Sequence, residues 1–141
     1  EMNALASTLP EYSTVMGIYG VGKTYGPLLI AEIGNVSRFT HREALTAFAG
    51  VDPGVDESGQ HKSKSNRASK VGSARLRKTL FQLMTTLLQN APEDNPVYRF
   101  LDKKRVQGKP YYAYMTAAAN KFLRIYYGKV KECLRNLEQA E

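Results

Sequence analysis

Residues 17–24 read Gly-Ile-Tyr-Gly-Val-Gly-Lys-Thr, a letter-for-letter match to G-x-x-x-x-G-K-T. How this stretch is read decides the fold. In a P-loop the glycines let backbone N–H groups cradle phosphates, the lysine reaches the outer phosphates and the threonine hydroxyl meets magnesium. That arrangement needs a buried β-strand ahead of the loop and a parallel sheet around it. The residues ahead, Tyr12-Ser13-Thr14-Val15-Met16, are too few and too polar for such a strand. No later apolar strand ends in a magnesium-binding Asp, and no segment shows a period of two. The nucleotide-binding reading is therefore set aside. The same residues also fit a turn between helices. A short helix, Gly20-Val21-Gly22, a small residue (Gly26) four positions on and Leu29 three further make helix-hairpin-helix spacing. The N–H groups opening the second helix then face a DNA phosphate, with Lys23 adding charge beside them. Such contact positions a duplex without reading its sequence. A plain glycine turn between packed helices fits these residues equally well.

Outward from this turn the chain keeps a helical period. Pro10 and Glu11 open a short segment that stops at 17–22, and a buried helix is expected from Pro27 to a glycine cap at Gly34. Thr40-His41-Arg42-Glu43 has the form of a capping box, opening a helix that ends at Gly50. In 73–90, Leu76, Leu80, Leu83, Met84, Leu87 and Leu88 make an apolar stripe. Pro92 and Pro96 interrupt it, and Val97, Phe100 and Leu101 begin a shorter helix stopped by Gly108. From Pro110 a long final helix carries Met115, Ala119, Phe122, Tyr126, Val130, Cys133 and Leu137 at spacings of four and three. Tyr111, Tyr112, Tyr114, Tyr126 and Tyr127 read as packing residues rather than base-stacking platforms, and the stripe itself as a possible interhelical seam. The expected fold is mostly α: a helix-hairpin-helix-like N-terminal part, a long basic loop, then two to three C-terminal helices.

At 141 residues and 43% hydrophobic content, the chain fills one domain, residues 1–141. It is too short for a barrel enzyme or a two-domain dehydrogenase. No apolar run approaches the roughly 20 residues that span a bilayer. Cys133, the one cysteine, excludes an internal disulfide and fits a reducing compartment. With only His41 and His61 beside it, a closed zinc site is not expected. The first residue is Glu1 rather than Met, which suggests a piece of something longer.

Charge points to a partner. Lys and Arg total 20 against 13 Asp and Glu, a net +7. Nucleic acid is the first polyanion to expect, ahead of an anionic membrane. Residues 51–72 read as a flexible basic loop, rich in serine, lysine and glycine after Pro53. No acid falls between Ser58 and Pro92, whereas Lys62, Lys64, Arg67, Lys70, Arg75, Arg77 and Lys78 do. Self-repulsion of a single-sign run goes uncompensated unless a polyanion binds. Six such cations on phosphates would make the log–log salt slope about −5. Ser58 sits where acidic side chains give way to basic ones. A Ser-Gly pair is most simply a turn. A serine attacking a phosphodiester needs a proton acceptor and cations: Asp56, Glu57 or His61 are candidates for the first, and Arg67 or Arg75 for the second.

Several stretches taken in order resemble one family. They are Gly20-Val21-Gly22 through Leu29-Ile30-Ala31-Glu32-Ile33-Gly34, Arg38-Phe39, Ala47-Phe48-Ala49-Gly50-Val51-Asp52-Pro53, Ser58-Gly59, Ser69-Lys70 with Gly72 and Leu76-Arg77, and Lys121-Phe122-Leu123-Arg124-Ile125. Together they are similar to the C-terminal domain of insertion-sequence transposases typed by the IS-one-ten element and the Piv DNA invertase. The likeness spans about Pro10 to Leu137. It implies a mobile-element recombinase whose separate N-terminal RuvC-like domain binds divalent metal (Mg2+) through four acids, working in a prokaryotic cytoplasm. It also implies that the C-terminal serine, here Ser58, forms a covalent phosphoserine link to DNA. A guide RNA and a homo-oligomer are the further partners implied, with no membrane. The usual Ser-Lys-Arg-Gly is here Ser69-Lys70-Val71-Gly72, one cation short. Expected nucleic-acid contacts are Gly20, Gly22, Lys23, Lys62, Lys64, Arg67, Lys70, Arg75 and Arg77. No metal site is expected in this chain, which alone would catalyse nothing.

Overall fold

The four-and-three spacing after Pro110 builds a single 30-residue helix, about 45 Å long, and most other elements lie against it. The computed structural model describes residues 2–6, 8–18, 21–52 and 73–140. Among them the elements in order are α1 (Met2–Ala6), α2 (Tyr12–Met16), α3 (Gly22–Ile33), a 3-10 turn (Val36–Arg38), α4 (Arg42–Ala49), α5 (Ala74–Asn90), α6 (Pro96–Val106) and α7 (Tyr111–Ala140). No strand occurs among these residues, and the protein is mostly α. Three helices follow residue 72, at the upper end of the expected number.

The two long stripes form the core. On α5, Leu76, Leu80, Leu83, Met84 and Leu87 are at most 1% exposed, with Leu88 half-buried. On α7, Met115, Ala119, Phe122, Tyr126 and Val130 are buried to the same degree. Each large apolar side chain so covered contributes about 1.5–3 kcal/mol. The α7 stripe then leaves the core: Cys133 is half-buried and Leu137 is 43% exposed. Helix α6 doubles back along α7, while α2, α4 and α5 pack on other parts of it. Helix α3 packs on α1, α2 and α5. It runs antiparallel to α5, since Tyr25 Oη lies 3.4 Å from Thr86 Oγ1 and Glu32 meets Ser73.

Helix ends follow the chain's punctuation, with two corrections. Gly34, Gly50 and Gly108 take positive φ where helices stop. Asn95 caps α6 by accepting the Tyr98 N–H at 2.9 Å, with Pro96 at the first turn. The cap of α4, however, is His41 and not Thr40. His41 is the extended residue, and its Nδ1 accepts the Ala44 N–H at 3.2 Å. Glu43 bonds Arg42 at 3.1 Å through one carboxylate oxygen and lies 3.3 Å from the His41 ring through the other, and the Arg42 bond holds its carboxyl below the ordinary range. Helix α3 begins at Gly22, five residues before Pro27, which sits inside the helix. The missing N–H of Pro27 would have met the carbonyl of Lys23, an exposed residue that water can serve.

Adjacent tyrosines on α7 have opposite chemistry. Tyr127 Oη donates to the Phe39 carbonyl at 2.9 Å, tying the helix to the chain before α4. Tyr126 is fully buried, and its hydroxyl has no hydrogen-bond partner among the described residues. Burial, with the Glu11 carboxylate adding to it, pushes the Tyr126 phenol well above its ordinary value. Tyr127→Phe should therefore cost about 1–2 kcal/mol in urea denaturation, whereas Tyr126→Phe should be neutral or stabilising. The unfolded phenol ionises near pH 10 and the folded one later. Stability should thus fall above pH 10 by up to about 1.4 kcal/mol per pH unit from this group, a component absent in Tyr126→Phe.

Candidate nucleic-acid interface

The chain leaves α4 and re-enters at α5 through one collar of hydrogen bonds. Gly50 is left-handed, and the Gly50 and Val51 N–H groups close on the Ala47 and Thr46 carbonyls at 3.0 and 3.1 Å. Val51 is buried, and its own carbonyl accepts from Asn120 Nδ2 of α7 at 3.1 Å. On the return side, the Ser73 N–H donates to the Phe48 carbonyl at 2.8 Å. Ser73 Oγ caps α5 by accepting the Leu76 N–H at 2.9 Å, and donates to Glu32 Oε1 at 3.3 Å. The collar thus joins α3, α4, α5 and α7 around the two ends of residues 53–72. Ser58, Lys62, Lys64, Arg67 and Lys70 all fall in that stretch, outside the described residues.

Behind the collar stands Arg38. Its Nε donates to the Ile33 carbonyl at 2.8 Å, placing a cation at the C-terminus of α3, where the helix dipole favours one. The guanidinium also lies over the rings of Phe39 and Phe48, at 4.4 and 4.9 Å from their centroids. Some of the residues that carried the family resemblance, Glu32, Arg38, Phe39, Phe48, Gly50 and Val51, thus build or brace this collar together with Ser73 and Asn120, which did not carry it.

The expected cations within the described residues separate. Arg75 is 87% exposed and only 4.0 Å from Glu32 Oε2, a loose pair that leaves its charge toward solvent. Arg77 is half-buried, and its Nη1 donates to the Ala49 carbonyl at 3.3 Å, capping α4. Lys23 is exposed beside Gly22 at the start of α3, a helix end with no side-chain cap. Gly22 has φ +56° and open space around it. Gly20 lies outside the described residues. Gly26 brings α2 and α3 close, since a Cβ there would fall 2.5 Å from Met16 Sδ. Nine residues of α3, about 14 Å, separate Lys23 from Glu32 and its partner Arg75. These two cations therefore stand at opposite ends of one helix and form no single cluster.

Two features escaped sequence reasoning. Asn120 has no charge or motif, and only its contact with Val51 reveals it. A second acid-free run, between Asp102 and Glu132, contains Lys103, Lys104, Arg105, Lys109, Lys121, Arg124, Lys129 and Lys131. The criterion that singled out 59–91 would have found it. No group of three or more His, Cys, Asp or Glu that could hold a metal occurs among the described residues. None of the described helices is long and apolar enough to cross a membrane. A groove of about 600 Å³ between α2 and α7, lined in part by Gly17, Ile18, Cys133 and Leu137, holds none of the expected site residues.

The family model described as Transposase IS116/IS110/IS902 family matches residues 12–99, more than half of the chain. No curated protein and no solved structure shows a significant match.

The two arginines of α5 give a separable test. Arg77→Gln should lower stability by about 1–2 kcal/mol in urea denaturation, since a charged donor is lost from a helix carbonyl. Arg75→Gln should leave stability within about 0.5 kcal/mol and flatten the salt dependence of DNA binding by about one unit of log–log slope.

Proposed function

This chain belongs to the IS116/IS110/IS902 transposase family, and from that footing we propose that it is the strand-joining half of a recombinase, with Ser58 as nucleophile. Membership makes it a protein of DNA transposition. The observation that carries the finer reading is the collar. Residues 53–72 take the chain from acidic to basic around Ser58, and both ends of that stretch are fixed to the helical body. Ser58 is six positions on from Asp52, so covalent geometry keeps the hydroxyl within about 24 Å of the collar.

In the proposed step, Ser58 Oγ gives its proton to a nearby acceptor, Asp56, Glu57 or His61, and bonds to phosphorus. The bond from phosphorus to one sugar oxygen breaks, and that oxygen takes up a proton. Arg67 and Arg75 stabilise the charge that builds on the phosphoryl oxygens. A phosphodiester is exchanged for a phosphoserine ester, so rejoining needs no ATP, in keeping with a Gly17–Thr24 stretch that no described β-strand precedes. Gly20, Gly22 and Lys23 meet backbone phosphates at the start of α3, and Lys62, Lys64 and Lys70 others. Arg77, expected from sequence to contact nucleic acid, serves through its hold on α4. The described residues do not fit a divalent metal, and Mg2+ belongs on our reading to a RuvC-like domain outside this sequence. Residues 1–141 act as one unit within a homo-oligomer that also binds a guide RNA, in a prokaryotic cytoplasm.

A non-catalytic helix-hairpin-helix module is the second reading. It is favoured by the close α2–α3 approach at Gly26 and the uncapped start of α3 beside exposed Lys23. Full-length protein separates the two. On the first reading, Ser58→Ala abolishes the denaturation-resistant protein–DNA adduct while DNA binding persists, and an unchanged adduct refutes it. On the second, Ser58→Ala recombines normally and neutralising Lys62, Lys64 and Arg67 together stops recombination.

A further inference from the structure

The corner where α6 turns into α7 combines charge and exposed aromatic surface in a way the packing does not require. Residues 103–112 contribute Lys103, Lys104, Arg105 and Lys109 with no acid among them. The nearest acid, Asp102, is engaged with Arg105. Tyr111 and Tyr112, read from sequence as packing residues, are 55% and 56% exposed, whereas Tyr126 on the same helix is fully covered. Both rings are steadied from one side. Tyr111 meets Tyr114 edge-on at 5.5 Å, and Tyr112 leans on Phe81 of α5 at 5.5 Å. Farther from the corner, Phe100 of α6 has the Lys104 and Lys121 ammonium groups 5.4 and 5.2 Å from its centroid, so the cationic surface continues about 14 Å along α7 from Tyr112.

Rigid, half-open aromatic rings among lysines suit one ligand chemistry. Unpaired bases stack on the rings while their phosphates meet the cations, and paired bases have no free face to offer. We propose that the α6–α7 corner is a binding surface for unpaired nucleotides, with Tyr111 and Tyr112 as stacking platforms and Lys103, Lys104 and Lys109 as phosphate contacts. The corner lies beyond the span matched by the family model. It is about 12 Å along α5 from Ser73 and about 12 Å along α7 from Asn120, hence beside the collar. A strand opened at the reaction centre, or a single-stranded part of an RNA, would reach it. The biological setting rests on the transposase reading, but the binding does not depend on Ser58.

The test uses full-length Ser58→Ala protein, which removes covalent capture, and fluorescence anisotropy with labelled dT12, U12, a 12-mer of abasic deoxyribose phosphates and a 12-bp duplex. Tyr111→Ala/Tyr112→Ala should weaken dT12 and U12 binding about tenfold and leave the abasic and duplex affinities within twofold. Tyr111→Phe/Tyr112→Phe should retain wild-type affinity. Lys103→Gln/Lys104→Gln/Lys109→Gln should weaken the abasic strand as well and reduce the single-strand salt slope by about two. Tighter binding of U12 than dT12 assigns the surface to RNA, and the reverse to displaced DNA. Equal loss on the abasic strand in the tyrosine variant, or no loss on any strand with an unchanged melting temperature, overturns the proposal. A change of oligomeric state with all four affinities preserved also overturns it, and makes the corner a protein contact. None of these outcomes reports on the adduct, so failure here and failure of the Ser58 reading are distinguishable.

Discussion

Everything near the candidate interface depends on one constraint: a chain that departs at Val51 must come back at Ser73 without leaving buried polar backbone unpaired. Bringing together two points some twenty residues apart costs on the order of 3 kcal/mol beyond a constant. The Phe48–Ser73 bond, the Asn120–Val51 bond and the Ser73 cap offset that cost at one place. Glu32 then sits at the opening turn of α5, where the helix dipole favours a negative charge. Because α3, α4, α5 and α7 all contribute, the mouth of the 53–72 stretch inherits the rigidity of the whole core.

The arginines illustrate how poorly a charge count describes a surface. Arg38 packs on a pair of phenylalanines and is hydrogen-bonded to a helix end, Arg77 caps another helix, and Arg75 alone of the three projects into water. A planar guanidinium has donors enough to close orphan carbonyls and a face that packs on rings, so part of a basic excess is consumed internally. The +7 of the sequence therefore does not tell which of its cations project into water.

The architecture was legible because burial writes itself into period. The stripes of α5 and α7 and the glycines at 34, 50 and 108 sit where the pattern put them. Choices between near-equal local options were not legible. Thr40 and His41 can both cap a helix, and the extended backbone at His41 decides between them. The pattern favours a start at Pro27, but a proline within a second turn loses only one bond, here from an exposed carbonyl. Of the candidate site, Arg75, Arg77, Gly22 and Lys23 could be located, and only geometry told a capping arginine from a projecting one. The tyrosines show the same limit: Tyr111 and Tyr126 are alike in composition and helical setting, yet one faces water because α7 begins beyond the core.

The bond from Tyr127 to Phe39 crosses 88 positions of sequence, and α7 supplies the wall against which α2, α4, α5 and α6 close. During synthesis, then, the leucine face of α5 can meet α3, already made, but its contact with α7 waits for a helix that begins about twenty residues later. Part of that greasy surface stays uncovered, in the reach of chaperones or of its own sister molecules, until the 30 residues of α7 are made. Packing on α7 is thus the step that completes the core, and a message interrupted before Val130 would leave the inner faces of α2, α4 and α5 partly bare.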